Sequence, residues 1–243
     1  MSNPLMQPAE FARLFTDAFA GAELPLLLSY TDSDADLPAE PARGCFIKAL
    51  RSVRDGRPLA LDAKSITCGG GRVYTGFGQL SPRIEDFVSR VERYKQSPEQ
   101  VRDFVDNLGL EPASRPYIRF ARLDTADTFE NVEGLLFFAT PDVLSGLVGW
   151  ALYDTNAPDA VSVPFGSGCS TLVAQTVAEN RRNGTRCFLG LFDISVRPLV
   201  EENVLSFSIP LSRFTVMAGT MQECFLGGAH AWTKLRERIA AAH

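Results

Sequence analysis

The chain has 243 residues, 45% of them hydrophobic and 22% charged, with a formal net charge of -5. This is the composition of an ordinary globular protein with enough apolar residues for a substantial core. It excludes a nucleic-acid binder, which needs clustered Lys and Arg to neutralise phosphates. Runs such as Leu24–Leu28 and Leu135–Ala139 are too short to span a bilayer. The N-terminus has no cationic start followed by an apolar run, so the expected location is cytoplasmic. The five cysteines are accordingly expected to be reduced thiols. Only two histidines occur, His230 and His243.

Taken in order, the chain interleaves helices and strands. Pro8 opens a helix with Phe11, Leu14, Phe15, Ala18 and Phe19 at helical spacing, stopped by Gly21. Leu24 to Tyr30 reads as a short buried strand. The aspartate-rich stretch from Thr31 to Pro38 lacks the glycine and distal glutamate of a calcium loop and reads as a solvated loop. Gly44-Cys45 begins a helix carrying Phe46, Ala49, Leu50 and Val53, ended by Gly56. A strand from Pro58 follows.

Next comes the most specialised stretch, Cys68-Gly69-Gly70-Gly71-Arg72, with Gly76 and Gly78 just beyond. Glycine permits unusual backbone angles and close approach. This stretch is expected to be a constrained loop, where sites tend to lie.

Pro82 opens a helix with Ile84, Phe87, Val88, Val91 and Tyr94 on one face. Ser97-Pro98-Glu99-Gln100 is a capping box for another, with Val101, Phe104, Val105 and Leu108 as its stripe. Strands are expected at 117–123 and 134–139, and a helix from Thr140-Pro141. Further strands are expected at 161–165, 186–192 and 204–209. The small-residue turn Gly166-Ser-Gly168-Cys169-Ser170 leads into a helix ending near Gly184, and Pro210 begins helical territory with a break at Gly227-Gly228. Interleaving of this kind implies a mixed α/β or α+β fold around a central mixed sheet.

Gly44-Cys45 and Gly168-Cys169 each precede a helix, a strand and an arginine-bearing loop. Cys45 to Arg72 spans 27 residues and Cys169 to Arg197 spans 28. The expectation is a single domain over 1–243 built from two related halves, about 1–112 and 113–243. Cys45, Cys68 and Cys169 would then meet near the junction.

Several stretches together resemble the uncharacterised ArCR family of archaeal and bacterial proteins. They are Cys45, Cys68-Gly-Gly-Gly-Arg72 with Gly76-Phe77, Arg93-Tyr94-Lys95 ahead of Ser97-Pro98-Glu99, Gly168-Cys169-Ser170, Gly190 to Pro198 and Phe207-Ser-Ile-Pro210. The resemblance covers most of the chain and implies no particular activity.

Three functional readings stay open. A small anionic ligand would sit in a cleft between the halves. Its contacts would come from Cys68, Gly69, Gly70, Gly71 and Arg72, with Gly168, Cys169, Ser170, Asp193, Ser195 and Arg197 from the second half; arginine forks suit carboxylates and phosphates. Alternatively, Cys45, Cys68 and Cys169 would hold an iron–sulfur cluster or another thiolate-bound metal, although no close C-x-x-C pair is present. A thiol enzyme would need a base, and His230 is the only internal histidine. Cys187 and Cys224 read as packing residues. The partner expected is a small molecule, with neither nucleic acid nor membrane; the oligomeric state is open.

Overall fold

The computed structural model describes residues 6–41 and 44–242. His243 lies outside the described residues. One seven-stranded mixed sheet, in the order β2-β3-β1-β4-β7-β6-β5, organises them. Its strands are β1 Leu26–Thr31, β2 Leu59–Leu61, β3 Tyr117–Arg122, β4 Val132–Ala139, β5 Val161–Ser162, β6 Cys187–Gly190 and β7 Leu205–Pro210. All neighbours are antiparallel except β5 and β6. The mixed α/β expectation therefore holds.

Alternation along the strands splits the core in two. Leu27, Leu135, Phe137, Phe207 and Ile209 face helices α1 (Pro8–Ala18), α6 (Pro141–Ala151), α8 (Leu211–Thr220) and α9 (His230–Ala240). There Phe11 meets Phe214 edge to face at 4.6 Å, and Trp150 donates to the Met217 carbonyl at 3.0 Å. The intervening residues Leu26, Leu28, Tyr30, Leu136 and Phe138 face the other way. They meet Phe46, Ile47, Leu50 and Val53, from a 3₁₀ turn (Phe46–Ala49) that runs into α2 (Leu50–Arg54). They also meet Leu172, Val173 and Val177, from a π-helical turn (Ser170–Ala174) that runs into α7 (Gln175–Arg181).

The strand registers repeat outward from the central β1–β4 pair. Six consecutive pairs join β1 to β3, from Leu26↔Arg122 to Thr31↔Tyr117, and six join β4 to β7, from Gly134↔Pro210 to Ala139↔Leu205. Three pairs then join β2 to β3 and three join β6 to β7. The row Leu28–Phe120–Leu59 on one side matches Leu136–Ser208–Phe188 on the other. β3 starts beyond residue 112, yet it completes the first three-strand set.

Two expectations change. The glycine stretch is helical: α3 spans Gly69–Tyr74, with Cys68 as its extended N-cap. The amphipathic stripe after Pro82 is not buried. A short α4 (Ile84–Asp86) continues as a π-helical turn (Phe87–Val91), leaving Phe87 48% and Val91 66% exposed. The capping residue of α5 (Pro98–Asn107) behaves as expected, with Ser97 Oγ accepting from the Gln100 N–H. Asp32 and Asp36 of the acidic loop pair with Arg115 and Arg119.

Candidate functional site

Three helix starts converge on one end of the second core. Cys45 precedes the Phe46–Ala49 turn, Cys68 precedes α3, and Gly168-Cys169 form the first turn leading into Ser170–Ala174. The approach is close because glycines sit where the segments touch. A Cβ on Gly168 would lie 2.8 Å from Ile47 Cδ1, and one on Gly71 would lie 3.3 Å from Phe46 Cδ1. The Gly44 N–H donates to Thr67 Oγ1 at 3.2 Å, setting the first two segments side by side.

The thiols sit within electrostatic reach of one another. Burial pushes Cys45 up, and the neighbouring Cys68 and Asp193 add to the rise. Cys169, 5% exposed, is pushed by burial to about 12, and Ser167 Oγ lies 3.3 Å from its sulfur. Tyr74 is likewise pushed by burial to about 12, with nearby Ser167 tempering the rise. Under neutral conditions Cys45, Cys169 and Tyr74 are therefore uncharged donors.

The second half's loop is closed on itself. Asp193 Oδ2 accepts the Gly168 N–H at 3.3 Å, and Oδ1 accepts from the Ser195 N–H and hydroxyl at 3.0 and 2.9 Å. Its carboxylate thus occupies the place an external anion would take at that helix start. Arg197 donates to the carbonyls of Val204, Glu201 and Glu202 at 2.6, 3.1 and 2.7 Å. The arginine expected to bind a ligand instead ties down the 201–204 loop.

Arg72 is different. It is exposed and makes no ion pair among the described residues. Its groove, about 480 Å³, is lined by Gly69, Gly70, Tyr74, Phe77, Leu80 and Ile84 among others, and among the described residues Arg72 is the one charged residue in that lining. Four other grooves each carry charges of both signs.

The structure therefore brings Cys45, Cys68, Cys169, Gly168, Asp193 and Ser195 together, and places Gly69, Gly70 and Arg72 on the outer side of α3. Gly71 packs inward against Ile66 and Phe46. Ser170 is fully buried, and its hydroxyl has no hydrogen-bond partner among the described residues. Among the described residues, no group of three His, Cys, Asp or Glu is arranged to hold a metal ion, so the metal reading has no preformed ligand set behind it. His230 starts α9, which packs on the opposite core, and offers the thiols no base. Sequence reasoning missed Tyr74 and Ser167. Both lie beside residues singled out, and the polar positions flanking each cysteine were the available signal.

A family model described as Uncharacterised ArCR matches residues 22–219. The chain belongs to that family. No curated protein and no solved structure matches it. No helix among the described residues is long and apolar enough to cross a membrane.

Proposed function

We propose that the protein binds a small anionic ligand with an apolar body in the groove over α3. The observation that carries the reading is Arg72, an exposed guanidinium that, among the described residues, has no ion-pair partner and sits in a groove whose lining is otherwise uncharged. A carboxylate there gains a charge-assisted hydrogen bond without displacing an existing one. Val73, Phe77, Leu80 and Ile84 offer apolar contact along the same groove, while Gln79 and Ser81 add polar contacts. Concave sites of this volume with few polar groups are the usual shape of small-ligand pockets.

Compared with the wider expectation, the ligand contacts narrow to Gly69, Gly70, Arg72 and Tyr74. Asp193 and Arg197 drop out because each is fully engaged within its own half. The test is calorimetric titration with octanoate and with octanol. Octanoate is expected to saturate, and Arg72→Gln should weaken it roughly ten-fold or more, the worth of a charge-assisted bond, leaving octanol unchanged. Absence of saturation, or equal octanoate affinity in the variant, overturns the reading.

A further inference from the structure

We propose that Cys45 and Cys68 form a reversible dithiol–disulfide couple that exchanges with small disulfides. The two residues lie on adjacent segments held together by the Gly44–Thr67 hydrogen bond and by the packing of Gly71 against Phe46. Both adopt nearly the same extended backbone, φ -77, ψ 125 at Cys45 and φ -73, ψ 126 at Cys68, each ahead of a helix start. Both are half-buried and hence reachable, whereas Cys169, Cys187 and Cys224 are buried. Cys68 is among the charges felt at the Cys45 sulfur.

The chemistry is thiol–disulfide exchange. The Cys68 thiolate attacks one sulfur of a small disulfide RSSR, forming a mixed disulfide and releasing RS⁻, which takes up a proton. Cys45 then loses its proton to water and displaces the second RS⁻. One S–S bond forms, one breaks, and two electrons pass from the protein thiols to the small disulfide, leaving two RSH. Cys45, whose thiol burial pushes up, takes the second step, the role of a resolving thiol. Oxidation would fasten the start of α3 to the segment ahead of α2, on the side of α3 away from Arg72. The couple does not depend on the ligand reading, since its test uses no groove ligand.

The experiment is incubation of the native full chain with oxidised glutathione, followed by thiol counting after denaturation, intact mass and peptide mapping. The reduced chain has five thiols. The expected result is loss of two of them, a mass fall of about 2 Da, a Cys45–Cys68 cross-linked peptide and full reversal by dithiothreitol. Cys45→Ser should instead trap glutathione on Cys68. Separate glutathione adducts on Cys45 and Cys68 without a cross-link, a cross-link to Cys169, or no reaction would each overturn the proposal. A folded Cys45→Ser protein that leaves Cys68 unmodified would overturn the assigned order of attack.

Discussion

The two sides of the sheet share one strand frame and finish it differently. From β1 outward and from β4 outward, the same rows pair in the same order, and a helix led by Gly-Cys covers the same face. β1 with β3 and β2, and β4 with β7 and β6, thus form two three-strand sets of matching register. The loops that leave the outer strands diverge. After β6 the chain folds back, with Asp193 seated on the Gly168 N–H and Arg197 locked onto three carbonyls. After β2 it builds α3 from three glycines, leaving Arg72 exposed beside a groove. Two arginines at nearly equal offsets from their cysteines therefore do opposite work. Arg197 is held by backbone carbonyls, whereas Arg72 is exposed beside a groove and makes no ion pair among the described residues.

The contrast breaks first under substitution of the two loops. Asp193→Ala strands the buried Gly168 N–H and frees the Ser195 turn, and should cost about 2–3 kcal/mol. Arg197→Ala removes three charge-assisted bonds to carbonyls and should cost about 2 kcal/mol. Arg72→Ala, at an exposed position with no ion pair among the described residues, should stay within about 0.5 kcal/mol. Urea denaturation midpoints check all three. A costly Arg72→Ala or a silent Arg197→Ala would erase the distinction between the halves.

Much of the frame was legible in the sequence because it rests on local signals. Pro8, Ser97-Pro98 and Pro141 start helices where expected, and Gly227-Gly228 separates α8 from α9. The placement of Cys45 and Cys169 at helix starts was legible through the Gly-Cys pair that opens each helix. The roles of the arginines were not. Partners of Arg197 are backbone carbonyls, which leave no trace in side-chain identity, and the freedom of Arg72 is set by which carboxylates the fold keeps away. The three glycines were also misread. They suit a flexible loop as readily as a helix, and what selects the helix is long-range. Tyr30 donates to the Thr75 carbonyl at 2.9 Å, and the Gly76 turn sits where a Cβ would lie 2.3 Å from the Ala113 nitrogen. The exposed Phe87 and Val91 show the reverse case, a helical apolar pattern that the fold leaves uncovered.

A smaller effect separates the cysteines by pH. Cys169 goes from an ordinary value of 9.0 to about 12 because burial penalises its thiolate. A raised folded value means that the unfolded chain gives up this proton first. The stabilisation is present below pH 9 and is lost as pH climbs from there toward 12. The slope attributable to this one thiol is at most about 1.4 kcal/mol per pH unit. Melting curves at pH 8 and pH 10 should show a steeper loss for the native chain than for Cys169→Ala. Parallel losses would mean that the second half's thiol is not the sealed group its burial describes.

The smallest effects discriminate within α3 itself. A Cβ on Gly69 meets nothing within 4 Å, whereas one on Gly71 would lie 3.0 Å from Ile66 Cγ2 and 3.3 Å from the Phe46 ring. Alanine favours helix over glycine by roughly 0.5–1 kcal/mol. Gly69→Ala should therefore raise stability by a few tenths of a kcal/mol or more, and Gly71→Ala should forfeit that gain to crowding and end about 1 kcal/mol below it. Gly69 lines the groove, so its variant should weaken octanoate, while Gly71→Ala, facing the core, should not. If both variants behave alike in stability and in binding, α3 does not present one face to the core and the other to a ligand, and the open half loses the feature that sets it apart from the closed one.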